Sequence, residues 1–220
     1  LCAISNLALG QSVEPQLEAP EPDITTFDAG ESYTTTFDTK NDIDIRILDG
    51  GVLVNGVGYT MYNNDGGSLD NDGVLENRDT LTNQVGATLT SSGLLTNAAG
   101  GELTNYGALN STVGSQLSNS GRLTNNGTLA NDGTLINEGA VVNSLSLTNN
   151  GVLENRDTLT NQVGATLTSS GLLTNAAGGE LTNYGALNST VGSQLSNSGR
   201  LTNNGTLAND GTLINEGAVV

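Results

Sequence analysis

A single apolar residue recurs along most of the chain at steps of six or eight residues, beginning at Leu75. Asn stands two residues after most of these positions, and Gly, Ala or Ser stands two residues before them. The repeating unit is therefore G-x-L-x-N-x, with Thr, Ser and charged residues in between. The residues that we expect to form a structural ladder are Leu75, Asn77, Leu81, Asn83, Leu95, Asn97, Leu103, Asn105, Leu123, Asn125, Leu129, Asn131, Leu135 and Asn137.

This spacing predicts short β-strands. Side chains alternate between the two faces of a strand, so the Gly, Leu and Asn of each unit share one face. A period of six matches no helical stripe, and a Gly in nearly every unit opposes a helix. We predict an all-β, single-stranded parallel β-helix (β-solenoid), in which Leu residues stack at the strand spacing and Asn side chains form a hydrogen-bonded ladder between coils.

The spacing allows either two or three strands in one coil. We favour a right-handed, triangular coil of three units, because a two-sided tube leaves little room for both the Leu and the Asn stacks. The alternating steps would keep the two-residue insertion at one corner only in the two-sided solenoid; in a triangular one the insertions would rotate around three corners. The Gly that follows each N-x pair is expected to adopt a positive φ.

The repeat is itself duplicated. Residues 73–142 and 151–220 are the same 70-residue string, offset by 78 residues. We therefore assign a first repeat copy to residues 73–150 and a second, truncated copy to residues 151–220. Stacked coils need neighbours at both ends, so we expect the chain to continue C-terminally into further coils or an anchor.

The segment before the repeat has a different texture. Residues 24–72 alternate β-branched and aromatic residues with polar ones around Gly turns, which predicts strands. Both Phe residues, Phe27 and Phe37, lie there. We interpret the segment as an N-terminal β cap that covers the first coil and protects its edge with charge.

The first 23 residues indicate export. Residues 1–10 are apolar and end in Ala8-Leu9-Gly10, a small-x-small pattern typical of a signal-peptidase site. We interpret them as a signal-peptide remnant; the alternative is an N-terminal core strand. Residues 11–23 hold all three Pro and three Glu, which is typical of a linker. No later segment approaches the roughly 20 apolar residues that span a bilayer, so no membrane span is expected in the chain as given.

Composition and charge exclude several functions. The 220 residues include no His and one Cys, which rules out His-based triads, His-ligated metals and multi-cysteine zinc sites. Acidic residues outnumber basic ones 23 to 6, and the net charge of −17 opposes binding to nucleic acid or anionic membranes. Residues 1–72 carry 13 acidic and 2 basic residues, and hence 11 of those 17 negative charges. No cofactor is expected.

The units GTLANDGTLINEGAVV and GRLTNNGTLANDG resemble the β-solenoid passenger regions of secreted bacterial surface proteins, namely filamentous-haemagglutinin-like adhesins and autotransporters. The resemblance covers about residues 24–220 and is carried by low-complexity repeats. It implies a β-solenoid displayed on the bacterial outer surface, with host or matrix glycans or proteins as partners. The hexad is also similar to that of left-handed hexapeptide-repeat acyltransferases, but those use a catalytic His that this chain does not have.

Acidic residues supply two candidate chemistries. Pectin-cleaving β-helices use clustered Asp, whereas the acids of the repeat are sparse and duplicated: Glu76, Asp79, Glu102, Asp132, Glu138 and their copies. We expect them to be solvated surface charges. A calcium loop is conceivable around Asp65, Asp70 and Asp72, but it lacks the bidentate Glu of an EF-hand and does not iterate, so a turn with acidic decoration is the preferred interpretation.

Two further patterns lie on the outward positions. The pairs Thr80/Thr82 and Thr88/Thr90, with copies Thr158/Thr160 and Thr166/Thr168, are what an ice-binding face would use, although Glu102, Arg122, Ala130 and Ile136 would interrupt the row. The alternative is that Thr suits an outward strand position. Asn-x-Ser/Thr triplets, which are glycosylation acceptors in a eukaryotic secretory pathway, occur at Asn110, Asn126, Asn188 and Asn204.

These observations favour a non-enzymatic, secreted or cell-surface β-solenoid that acts as an adhesin segment or structural stalk. A β-helical polysaccharide-active enzyme is the first alternative and would need acids grouped in a groove. An ice-binding solenoid is the second and would need an aligned, flat Thr row.

Overall fold

The structure is a computed structural model and describes residues 25–35, 39–41 and 44–220. The predicted signal-peptide remnant (1–10), the linker (11–23) and Phe37 lie outside these residues. The regular structure of the described residues consists of thirty short β-strands. In chain order they are β1 (Thr25–Phe27), β2 (Ser32–Thr34), β3 (Thr39–Asn41), β4 (Asp44–Ile47), β5 (Val52–Asn55), β6 (Thr60–Asn63), β7 (Ser68–Asn71), β8 (Val74–Asn77), β9 (Thr80–Asn83), β10 (Thr88–Ser91), β11 (Leu94–Asn97), β12 (Glu102–Asn105), β13 (Ala108–Ser111), β14 (Gln116–Asn119), β15 (Arg122–Asn125), β16 (Thr128–Asn131), β17 (Thr134–Asn137), β18 (Ala140–Asn143), β19 (Ser146–Asn149), β20 (Val152–Asn155), β21 (Thr158–Asn161), β22 (Thr166–Ser169), β23 (Leu172–Asn175), β24 (Glu180–Asn183), β25 (Ala186–Ser189), β26 (Gln194–Asn197), β27 (Arg200–Asn203), β28 (Thr206–Asn209), β29 (Thr212–Asn215) and β30 (Ala218–Val219).

Every third strand joins the same sheet, so the chain winds through three parallel sheets of ten strands each. Sheet A contains every third strand from β1 to β28, sheet B from β2 to β29, and sheet C from β3 to β30. We call the turns between them the A–B, B–C and C–A corners. One coil therefore has three strands, which confirms the predicted triangular β-solenoid and excludes the two-sided tube.

The register places like residues on top of one another. In sheet B, Leu75 pairs with Leu95 and Leu95 with Leu117. In most four-residue strands the second and fourth residues are buried and the first and third are more exposed, as the spacing predicts. The side chains of Leu75, Leu95 and Leu117 are fully buried, and together with their counterparts on the other two sheets they form one continuous apolar core.

The duplication is commensurate with the coil. Strand β8 of the first copy and the equivalent β20 of the second both belong to sheet B, twelve strands apart. Twelve strands at three per coil make four coils, which is about 19 Å along the axis at a strand spacing of about 4.8 Å. Each residue of the second copy therefore lies on the same sheet or corner as its counterpart in the first.

The extra two residues in some steps form four-residue turns that move from corner to corner. They lie at the C–A corner in residues 84–87, at the B–C corner in residues 98–101, and at the A–B corner in residues 112–115. This rotation is what the triangular arrangement predicts. The four-residue turns enlarge a corner without changing the inward pattern of the strands.

Glycine has two separate roles at the corners. In the four-residue turns Gly86 and Gly114 have φ of 81° and 87°, which only Gly adopts readily. The expectation of a positive φ for the Gly after each N-x pair is wrong at the two-residue corners. There Gly107 and Gly127 have no positive φ; a Cβ at either would overlap a carbonyl oxygen of the preceding coil. The requirement is close approach of the backbone between coils.

The described part of residues 24–72, which the sequence indicates as a cap, stacks in the same three sheets as the repeat. Ile45 pairs with Leu69, Leu53 with Leu75, and Met61 with Leu81. At the N-terminal end the ring of Phe27 stacks on Tyr33, with centroids 5.9 Å apart, and Phe27 contacts the apolar core. The described part of the segment therefore consists of solenoid coils.

Candidate functional site

The predicted Asn ladder is present and runs through the solenoid in two uninterrupted columns. In sheet B the Nδ2 of Asn77 donates to Oδ1 of Asn97 at 2.8 Å, and Asn97 donates to Asn119 at 2.7 Å. The second column, in sheet C, links Asn83 to Asn105 and Asn105 to Asn125 at 2.7 and 2.8 Å. The remaining amide proton bonds a backbone carbonyl near the corner, as from Asn77 to Glu102. These side chains are fully buried, so the ladder satisfies groups that water cannot reach.

The ladder of sheet A is interrupted where the preceding coil offers no side-chain donor. Donation runs from each coil to the next, so an Asn Oδ1 needs a donor in the coil before it. Asn71, Asn131 and Asn209 have a buried Oδ1 with no hydrogen-bond partner. In the preceding coil Asn71 pairs with Ile47, whose side chain has no donor. Asn131 pairs with Ser111 and Asn209 with Ser189. The hydroxyls of these two serines are bonded to Ser115 and Ser193 at 2.7 Å.

Three acidic residues of the repeat, Glu76, Glu138 and Glu154, pair with arginine. Arg78 makes a two-point contact with Glu76, with Nε to Oε1 at 2.8 Å. Arg156 contacts Glu154 in the same way and reaches back to Glu138 in the preceding coil at 2.7 Å. The hydrogen bonds and charges of these carboxylates raise the pKa of both arginines. Exposed pairs of this kind contribute little to stability.

The calcium candidates are distributed along one strand and its two ends. Asp65 lies in the C–A turn before β7, Asp70 on the outward face of β7, and Asp72 at the following A–B corner. Asp72 accepts a hydrogen bond from Ser92 in the next coil at 2.5 Å, and Asp70 accepts one from Ser68. Across residues 25–35, 39–41 and 44–220, no three His, Cys, Asp or Glu side chains lie together as metal ligands would.

The threonine pairs belong to different faces. Thr80/Thr82 lie on sheet C, whereas Thr88/Thr90 lie on sheet A. On sheet A the Thr pairs of β10 and β22 are four coils apart, and the strands between them carry other outward residues, such as Ala108 and Asn110. Of the residues expected to interrupt a Thr row, Glu102 and Arg122 are on sheet C, Ile136 is on sheet B, and only Ala130 is on sheet A. The Asn-x-Ser/Thr residues Asn110 and Asn188 lie outward on sheet A, and Asn126 and Asn204 lie at the C–A corner.

The C–A corner carries a row of exposed apolar side chains. In five of six successive coils this corner presents Val85, Tyr106, Leu145, Val163 or Tyr184, with Asn126 in the remaining coil. Their exposed fractions are 69%, 45%, 52%, 79% and 44%. We call these five residues the C–A ridge. Backbone hydrogen bonds between coils continue at the corner, as from Tyr106 N to Asn83 O at 2.7 Å.

The surface on both sides of the ridge is uncharged. The last outward residue of each sheet C strand borders it with Thr82, Thr104, Thr124, Val142, Thr160 and Thr182. The first outward residue of each sheet A strand borders it with Thr88, Ala108, Thr128, Ser146, Thr166 and Ala186. The C–A ridge and these two rows form the candidate site.

All nine charged residues between Thr80 and Asn209 lie elsewhere. Asp132 is at the A–B corner, and Glu154 is on the outward face of sheet B. The other seven are at the B–C corner (Glu138, Arg156 and Asp157) or at the sheet C positions beside it (Glu102, Arg122, Glu180 and Arg200). The sequence reasoning did not find the C–A ridge. The trace of this ridge in the sequence is that Tyr106 and Tyr184 stand at equivalent places of the two copies. That these residues share a corner with the other ridge residues follows only from three strands per coil.

Comparisons of the chain with protein-family models, with curated proteins and with solved structures give no match. The β-solenoid repeat is shown by the three parallel sheets alone, and no match assigns the chain to a class of surface protein. A helix long and apolar enough to cross a membrane is not found among the described residues.

Proposed function

We propose that the chain is a non-enzymatic segment of a secreted or cell-surface protein, bacterial in origin, that serves as an adhesin segment or structural stalk. The observation that carries this proposal is the commensurate duplication. Because 78 residues make four complete coils, a further copy lengthens the rod and returns each residue to the same sheet or corner. A stalk needs this property, and an adhesive surface repeated along a stalk needs it too.

The core and the surface chemistry agree with this function. Most inward positions of the coils are filled by Leu and Asn, and ten coils make a rod about 43 Å long. Among the described residues no three acidic side chains gather as metal ligands would, and Glu76 pairs with Arg78. The leader-like residues 1–10 and the resemblance to adhesin passenger regions add support for export.

Length and export can be tested separately. Chains with one additional 78-residue copy should lengthen by about 19 Å in small-angle X-ray scattering, since four strand spacings are added. A reporter enzyme that is active only outside the cytoplasm, fused after residue 24 in the protein's own gene, should be active in a bacterial host and inactive when residues 1–10 are deleted. A scattering curve that does not lengthen would contradict the stalk, and an inactive reporter would contradict export by this segment.

The two alternative functions stay predictions with their own assays. An ice-binding solenoid requires an aligned double Thr row, whereas Thr80/Thr82 and Thr88/Thr90 lie on different sheets. Measurable thermal hysteresis in a solution of the chain would nevertheless establish it. A polysaccharide-active enzyme would release reducing ends from soluble polysaccharides, and loss of that activity in a single-carboxylate variant would identify the catalytic residue.

A further inference from the structure

We propose that the C–A ridge binds an extended, uncharged polysaccharide whose chain runs parallel to the solenoid axis. The proposal rests on the adhesive form of the function proposed above and names its ligand class. Tyr106 and Tyr184 are the two principal contacts. The aliphatic side chains Val85, Leu145 and Val163 complete the apolar line between and beside them.

The shape of the site fits a linear polymer. The ridge passes through six coils, which is about 24 Å at the strand spacing. It stands at a convex corner, so a ligand meets a line of side chains and no enclosed pocket. Tyr106 and Tyr184 occupy identical settings four coils apart, about 19 Å along that line. A polymer of repeating units can meet both at once, which raises the affinity through effective concentration.

The chemistry fits sugar rings. An aromatic side chain offers an apolar face together with a polar hydroxyl. A pyranose ring likewise has an apolar C–H face and a polar rim of hydroxyls. With its C–H face on Tyr106, its rim reaches the hydroxyl of Thr104 on the sheet C side. On the sheet A side it reaches Thr88 and Thr128, which lie in the coils before and after Ala108. Asn126 adds an amide within the line itself.

The distribution of charge selects against charged glycans. A polyanionic glycan needs Lys or Arg, and the C–A corner and its flanking rows contain neither between Thr80 and Asn209. The net charge of −17 would also repel a polyanion. An uncharged polysaccharide meets no such penalty, and its binding should be insensitive to salt.

A second copy of the chain is a poorer occupant of the same surface. A strip about 24 Å long and about 10 Å wide offers about 240 Å². A stable protein–protein interface buries about 800 Å² on each partner. Two convex corners touch only along a line and cannot make up the difference, whereas a thin polymer needs only a narrow strip along its length.

The decisive variant leaves both tyrosines in place. Deletion of residues 128–133 removes one six-residue unit, and the junction of Gly127 with Thr134 keeps the Gly-Thr-Leu sequence found at both ends of the deleted unit. The inward Leu and Asn positions are kept, but every later strand moves to the neighbouring sheet. Tyr184 then moves from the C–A to the B–C corner and no longer aligns with Tyr106.

Substitutions give the matched pair. Tyr106→Ala with Tyr184→Ala removes the two aromatic contacts. Val113→Ser with Val191→Ser is the control, since these valines are 83% exposed and duplicated like the tyrosines but lie at the A–B corner. The probe is migration of the full chain through native gels that contain hydroxyethylcellulose or galactomannan, with polygalacturonate as the acidic comparison. Far-UV circular dichroism and thermal unfolding verify that each variant is folded.

We expect a neutral polysaccharide to retard the chain equally at low and high salt. The double Tyr variant and the six-residue deletion should each weaken binding about tenfold or more, and the Val113/Val191 variant should bind as the unaltered chain does. Absence of retardation by both neutral polysaccharides would overturn the proposal, as would equal binding by all variants or salt-sensitive binding to polygalacturonate alone. Self-association through the ridge, seen as a dimer that the double Tyr variant loses, would also overturn it. A chain that passes the length and export tests but fails these would be a stalk without this ligand.

Discussion

Asn137 donates its side-chain amide to Oδ1 of Asn155 at 2.7 Å, across the eighteen residues that make one coil. Its own Oδ1 accepts from Asn119, so one side chain joins three coils. Replacing Asn137 with Ala leaves a buried donor of Asn119 and a buried acceptor of Asn155 without partners. We expect a loss of about 2–5 kcal/mol in the free energy of unfolding, measured by urea denaturation.

The control for Asn137 is Asn150, which also bonds between coils but on the surface. Its Nδ2 donates to Asp132 and its Oδ1 accepts from Ser170, both at 2.7 Å. Water replaces these partners, so Asn150→Ala should change the free energy of unfolding by less than about 0.5 kcal/mol. Equal losses of unfolding free energy in the two variants would mean that burial is not the reason why the ladder stabilises the fold.

The gap in the sheet A ladder offers a stabilising substitution. The combination Ser111→Asn with Ser115→Ala copies the arrangement of Asn83 and Ala87, where an Asn precedes a four-residue turn that ends in Ala. The new amide would donate to the orphaned Oδ1 of Asn131. We expect a gain of about 1 kcal/mol in the free energy of unfolding. A less stable variant would show that the hydroxyl pair of Ser111 and Ser115 is worth more than the missing rung.

The two roles of glycine can be separated by substitution. At Gly114 an Ala must adopt a positive φ but meets open space, which should cost about 1–2 kcal/mol. At Gly127 an Ala would push against the carbonyl of Gly107, which accepts the hydrogen bond from Thr128 N. We expect a loss of about 3 kcal/mol there, from overpacking and a weakened bond between coils. Thermal unfolding of both variants gives the order, and a smaller loss at Gly127 would contradict close approach as its reason.

Removal of residues 73–150 should leave a folded solenoid. The deletion takes out four of the ten coils and joins Asp72 to Gly151, which restores the sequence found at Gly73. Far-UV circular dichroism should keep its β signal. The urea m-value should fall to about six tenths, because it scales with the surface exposed on unfolding, and the stability should fall with it. The product has the same sequence as residues 1–142, so a disordered product would indicate that six coils are too few to fold.

Much of the fold could be predicted from local spacing, and the Leu core and the Asn columns at Asn77 and Asn83 lie where that spacing placed them. The need for Gly at position 107 could not be predicted in this way, because a Cβ there would overlap a carbonyl oxygen of another coil, about twenty residues earlier in the chain. The gap at Asn131 also depends on the coil below it. The candidate site at Tyr106 and Tyr184 could not be recognised from spacing along the chain alone.

The sequence by itself determined which side chains point inward. That property is local, because alternation along a strand depends only on the strand's own backbone. The closure of three strands into one coil is decided by hydrogen bonds between residues eighteen to twenty-four positions apart, and a six-residue period is compatible with other closures. Only the tertiary structure therefore assigned outward residues to faces. It separated Thr80 from Thr88, and it aligned Tyr106 with Tyr184 on one uncharged edge.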